Sequence, residues 1–218
     1  IASATRIYGD RMDELWGEIL PAPAERVTPL YDGDNVEAGG LTFTALDTPG
    51  HAYHHHAYRV SDGHGGAVLF TGDAAGVRLP RGGGVDLPAP PPEFHLETWL
   101  GTLTKLENAG AHTFYPTHFG PVTDIHGHLM ALRTVMIDSV AFVAERLKEV
   151  GAGLKPAPTG GPLDPQIRAR LLDEYIGWSR ERAAALRLSP TMIQSYELAN
   201  PVFMSVDGIV RYLRKKSG

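Results

Sequence analysis

Cysteine is absent from the 218-residue chain, which removes a disulfide framework, a thiolate metal site and a cysteine nucleophile together. Any metal must then be held by His, Asp or Glu. Long apolar runs are lacking as well. No stretch approaches the roughly 20 residues that a membrane-spanning helix needs, and the first residues carry no charged, apolar, then small-residue leader pattern. A cytoplasmic protein with no membrane partner is the expectation. Basic charge is also scarce, with 20 Lys and Arg against 25 Asp and Glu and a formal net charge of -5. The basic residues are scattered except for the terminal run Arg211, Arg214, Lys215 and Lys216, so no broad face for a phosphate backbone is expected and nucleic acid is not an expected partner.

What is present is ordinary globular material, 43% hydrophobic and 21% charged, enough for one core with an appended element. The chain opens at Ile1 rather than Met, and IASATRIYGDRM enters without a cap, as a fragment or processed chain would. Met12, Leu15, Trp16, Ile19 and Leu20 follow helical spacing up to Pro21. From Val27 to Thr48 the pattern turns to sheet, with LTFTALDT alternating as a half-buried strand does. HHHAYRV and AVLFTGD, separated by SDGHGG, predict a hairpin. RLPRGGGVDLPAPPPEF reads as a surface loop long enough to act as a lid.

HLETWLGTLTKLENAG predicts a helix, HTFYPTHFGP a strand entering a loop, and IHGHLMALRTVMIDSVAFVAERLKEVG a long helix stopped by Gly151 and Gly153. GLKPAPTGGPLDP reads as a linker. Beyond it, PQIRARLLDEYIGWSRERAAALRL and SVDGIVRYLRKK are helix-periodic, with SPTMIQSYELANP between them and Ser189 and Ser205 as expected N-caps.

Three strand ends each present one candidate metal ligand. LDTPGHAYHHHAY delivers His51 at a Pro-Gly turn, within a run that packs four of the ten histidines into six positions. Imidazole is the commonest side-chain metal ligand. FTGDAAG places Asp73 just after an apolar strand, where a carboxylate can reach inward. FYPTHFGP does the same for His118. Each motif alone is weak, since a strand-end Asp is more often a turn residue. The order His, Asp, His along successive strand ends is what one site built on one sheet edge requires.

T-P-G-H, then F-T-G-D, then P-T-H-F-G-P resembles the later three ligand motifs of the metallo-β-lactamase superfamily, in that order. The resemblance covers about residues 1–150 and implies an α/β fold, a metallo-β-lactamase-like αββα sandwich. The family's first motif, H-x-H-x-D-H, is not found in the sequence. The expectation is a sandwich missing its N-terminal part, by truncation rather than loss. Its parts would be 1–152 for the catalytic portion, 153–164 for a linker and 165–218 for a helical extension packing on the catalytic portion.

By the same resemblance His51 completes the first metal's imidazole set, Asp73 bridges two metals and His118 binds the second. The implied cofactor is zinc, two ions in the complete protein, with iron or manganese as alternatives. The implied activity is hydrolysis of an ester, lactone, thioester or amide carbonyl in a small-molecule substrate, with Asp73 and His55 as catalytic residues. A homodimer is left open. Rival readings are a mononuclear iron persulfide dioxygenase-like enzyme, and a catalytically incompetent fragment or binding module, since three protein ligands cannot hold a two-metal centre tightly. A nuclease fits poorly with the acidic balance.

Bland roles come first for the remaining candidates. His54 and His56 flank His55 on a presumed strand, so only one side of that trio can face the site. His126 and His128 are expected as surface or cap residues, and His64, His95 and His112 as structural or exposed. Tyr53 and Tyr115 are weaker candidates for an oxyanion contact. Met192, Tyr196 and Phe203 are candidates for an apolar substrate pocket, with core packing the default.

Overall fold

The alternating strands and their Gly-rich turns fold into one mixed sheet. The structure, a computed structural model, describes residues 5, 9–61, 63–64, 66–80, 83–149 and 163–216. It divides into two compact units, Ile1–Leu30 and Tyr31–Gly218. In the first, helix α1 (Met12–Trp16) has no buried residue. It ends earlier than its apolar spacing predicts because Gly17, at φ +59°, turns the chain and donates its N–H to Asp13 O at 2.9 Å, four residues before Pro21.

In the second unit, β1 (Asn35–Ala38) and β2 (Leu41–Asp47) form a hairpin, followed by β3 (His56–Ser61) and β4 (Ala67–Gly72). Helix α2 (Leu96–Glu107) carries the chain across to β5 (Thr113–Pro116). The spatial order is β1-β2-β3-β4-β5. Neighbours are antiparallel up to β4, and β5 runs parallel to β4, as a helical crossover requires. Two antiparallel steps return β4 to the direction of β2. The C-terminal ends of β2, β4 and β5 therefore lie along one sheet edge.

The period of two sends Leu46, Ala57, Leu69 and Phe114 to one face. There they join Trp99, Leu103 and Leu106 of α2 and Leu129, Leu132, Met136, Val143 and Leu147 of α3 (Ile125–Glu149) in one core. Each fully buried aliphatic side chain of this kind contributes roughly 1.5–3 kcal/mol relative to exposure. On the other face Phe70 and Tyr115 stack at 5.4 Å and stay exposed. Helix α3 is long and apolar enough to span a membrane, but its apolar stripe is the middle of this core.

Three helices follow: α4 (Pro165–Ala185), α5 (Pro190–Ala199) and α6 (Val202–Lys216). Leu171 and Tyr175 of α4 and Val206, Ile209 and Leu213 of α6 belong to the same core as the sheet. Most of the expected linker, with Gly151 and Gly153, lies outside the described residues. Ser189 caps α5, accepting from the Met192 N–H at 3.2 Å, so the segment read as a connection is a helix begun by Ser-Pro. Ser205 is no cap. It lies inside α6, which starts after Pro201, and is 2% exposed.

The segment between β4 and α2 also departs from expectation. Val77, Leu79, Leu87, Ala89 and Phe94 are buried, and side chains of α5 and α6 grip the backbone. Tyr196 Oη donates to Gly84 O at 2.7 Å and accepts from Leu79 N at 3.1 Å. Ser205 Oγ donates to Leu87 O at 2.7 Å and accepts from Ala89 N at 3.2 Å. Its prolines and glycines make it irregular, and these bonds satisfy the backbone that no strand partner does. It is a packed wall, not a lid.

Candidate metal centre

The three strand ends on the shared edge carry His51, Asp73 and His118. The turn after β2 is fixed first. A Cβ on Gly50, at φ +130°, would lie 2.3 Å from Trp99 Cβ, so only glycine lets this turn rest on the first residues of α2. Thr102 Oγ1 donates to Pro49 O at 2.6 Å and the His95 N–H donates to Gly50 O at 2.9 Å. His51 then emerges with its ring edge-on to Trp99, centroids 5.6 Å apart.

The His51 Nδ1 lies 2.8 Å from Pro88 O. A carbonyl only accepts, so Nδ1 carries the hydrogen and Nε2 in the neutral ring is a lone pair. That lone pair faces Asp73 Oδ2 at 3.4 Å. On the other side Asp73 Oδ1 faces His118 Nε2, also at 3.4 Å. Oδ1 is buried and has no hydrogen-bond donor. Phe119, next to His118, sits at φ +70°, a conformation that costs a bulky residue of order 1–3 kcal/mol.

His55 serves the same site from behind. The Asp73 N–H donates to His55 Nε2 at 3.0 Å, which leaves the hydrogen on Nδ1, directed at Thr48 Oγ1 at 2.6 Å. The Thr48 hydroxyl in turn donates to His55 O at 3.3 Å. Burial first, and then the His51 ring, lower the His55 pKa to about 4. Gly72 makes room for this ring, since a Cβ there would lie 2.5 Å from His55 Nε2. Both nitrogens are engaged, so His55 positions the Asp73 backbone and has no free nitrogen for substrate.

The other histidines point elsewhere. His54 is largely exposed beside Glu93, and His56 pairs with Asp47 at 2.7 Å. His126 pairs with Glu107 at the surface, and His95 caps α2. His128, expected at the surface, is 1% exposed and donates from Nε2 to Ala75 O at 2.7 Å. Its spacing with Leu129, Leu132 and Met136 marks the core stripe of α3 and was the signal for its burial. Tyr53 is exposed, and Tyr115 lies on the outer sheet face against Phe70. Of the expected apolar pocket residues, Tyr196 is buried between backbone partners, Met192 packs against the small cluster of Val77, Leu79 and Tyr196, and Phe203 is 36% exposed. The Pro88 carbonyl that sets the His51 ring lies 37 residues away and has no local sequence signal.

A buried carboxylate oxygen without a donor, next to two imidazole nitrogens, is the chemistry of a borderline divalent cation site. Among the described residues no three His, Asp or Glu side chains close around one point. The three therefore fit as part of a coordination shell, with Asp73 between the two rings.

No protein-family model matches the chain. It is 32% identical over 96 residues to the lactamase-like protein notP of an Aspergillus species, covering 44% of this chain and 26% of that protein. It is 29% identical over 103 residues to a metallo-beta-lactamase fold-containing protein of Sulfurisphaera tokodaii, covering 47% and 36%. By these matches the chain is similar to proteins of the metallo-β-lactamase fold. To a hydroxyacylglutathione hydrolase of Aeromonas hydrophila the chain is 26% identical over 183 residues, 82% of its own length and 63% of the relative's. The chain thus spans less than two thirds of the length of each of these relatives.

Proposed function

We propose that this chain supplies His51, Asp73 and His118 to the metal centre of a hydrolase that cleaves an ester, lactone, thioester or amide carbonyl in a small molecule, in the cytoplasm. The observation that carries the reading is the Asp73 carboxylate, with Oδ2 facing the lone-pair nitrogen of His51 and a buried Oδ1 facing His118 without a hydrogen bond. Two acceptors held 3.4 Å apart repel each other unless a proton or a cation lies between them. Zinc is the expected cation, and when bound it polarises a carbonyl oxygen and acidifies water at neutral pH.

The chain's own residues do the positioning. Pro88 O selects the His51 tautomer that offers Nε2. His55, tied to Thr48, fixes the Asp73 backbone. Trp99 walls the His51 ring on one side, and its indole N–H donates to Ala74 O at 2.8 Å just beyond Asp73. The hydroxyacylglutathione hydrolase among the relatives supports thioesters as the first substrates to try.

The test is turnover of a panel of aryl esters, lactones and acyl thioesters by the protein at its native length, with and without a chelator. Hydrolysis that chelation stops, zinc restores and Asp73→Asn lowers at least about a hundredfold is the expected result. Hydrolysis indifferent to chelator and to Asp73→Asn would overturn the proposal. Recovery with iron alone, together with oxygen consumption, would move the chemistry to oxidation.

A further inference from the structure

A cavity of about 70 Å³ opens between α4, α5 and the wall segment, and none of His51, Asp73 or His118 lines it. Its lining is mixed: Trp178, Leu186, Leu188 and Ile193 are apolar, Asp86, Glu197 and Asn200 are acidic or polar, and the Arg182 guanidinium also lines it. We propose that this cavity binds a small organic cation, a primary ammonium on a short branched alkyl body, with the ammonium on the Asp86 carboxylate.

The argument begins with Asp86. It is surrounded by protein yet keeps some accessible surface, and the cavity it lines accounts for that surface. Asn200 Nδ2 donates to its Oδ2 at 2.7 Å, and the Leu87 backbone N–H also serves the carboxyl. Both donors are neutral. Among the described residues no Lys, Arg or His lies within ion-pair distance of it. The nearest guanidinium, Arg182, is already engaged: its Nη1 donates to Asp138 Oδ2 at 2.6 Å and its Cζ lies 4.8 Å from the Trp178 ring centroid. Burial pushes the Asp86 carboxyl up. A buried carboxylate with hydrogen bonds but no countercharge is incomplete, and an ammonium brings both the charge and further donors.

Size and lining choose the rest of the ligand. An apolar cavity of about 150 Å³ holds a benzene, so this one, at about 70 Å³, takes an ammonium and the first few carbons of its alkyl body. Leu186, 51% exposed, stands at its mouth, where a longer body can continue. Leu188 and Ile193 add apolar contact for the cation's alkyl group.

Isobutylamine, protonated at neutral pH as an alkylamine, and isobutanol, its neutral counterpart in shape, are the probes. Each is titrated into the ¹⁵N-labelled chain while the Trp178 indole N–H signal, assigned with Trp178→Phe, is followed. Isobutylamine is expected to bind at least about tenfold more tightly than isobutanol. Asp86→Asn, close to isosteric, is expected to erase that preference while other signals stay in place. Ile193→Phe, which fills the cavity and leaves Asp86 intact, is expected to abolish binding, and it carries the test should Asp86→Asn not fold. Absence of amine binding, equal binding of the alcohol, or amine binding that survives either folded variant would overturn the proposal.

Discussion

Replacing Gly50 by alanine would place a methyl carbon 2.3 Å from Trp99 Cβ, 2.5 Å from its Cα and 2.7 Å from its N. These atoms belong to the first turn of α2 and cannot swing aside as a side-chain tip could. The backbone at φ +130° adds about 1–3 kcal/mol of strain for a residue with a Cβ. Overpacking against fixed atoms adds about 1–3 kcal/mol, so the loss is about 2–6 kcal/mol. For a domain of this size that is a fall in Tm of about 4–24 °C. Urea unfolding followed by circular dichroism measures it. Gly101→Ala is the control: it lies on the same helix with nothing within 4 Å of its Cβ, and it should gain up to about 1 kcal/mol. A Gly50→Ala protein as stable as the wild type would refute the packing of the His51 turn on Trp99.

Thr48→Val keeps the shape of the side chain but strands the His55 Nδ1–H in a buried place, so urea unfolding should show a loss of about 1–3 kcal/mol, which Thr48→Ser largely restores. Ser205→Ala removes the hydroxyl that bridges Leu87 O and Ala89 N; a similar loss of about 1–3 kcal/mol is expected, with faster amide exchange at Ala89. Glu97 is held at about 2, below its ordinary 4.5, by its hydrogen bond from Lys216 and, after the opposing effect of burial, by Tyr212. Its folded pKa lies below the unfolded one, so its contribution is present above pH 4.5 and disappears as the pH falls towards 2. Urea midpoints compared over that range should converge between wild type and Lys216→Met at the acid end. The effect should be small and should shrink with salt, because the Glu97 side chain is 50% exposed.

What was legible in the sequence was local. Alternation and Gly-rich turns marked β2, β3 and β4, and the Pro-Gly and Gly-Asp strand ends singled out His51 and Asp73. The same direction shared by β2, β4 and β5 then brings those side chains and His118 to one edge. What was not legible depends on distant partners. The Pro/Gly-rich segment before α2 looks like a lid until Tyr196, Asn200 and Ser205, more than a hundred residues on, bind its backbone. Ser205 has the composition of a cap and the position of an interior residue. His55 stood out as a chemical group, yet the turn folds back so that Thr48 and the Asp73 N–H occupy both its nitrogens.

Zinc titration followed by long-range ¹H–¹⁵N imidazole spectra addresses the shared His51, Asp73 and His118 site most directly. The Nε2 signals of His51 and His118 should move to metal-bound positions while His51 Nδ1 keeps its hydrogen. The His54 and His55 rings should hold their tautomeric states, and Asp73→Asn should suppress the change at both ligands. Zinc-dependent shifts at the exposed His54 with His51 and His118 unmoved would contradict the assignment.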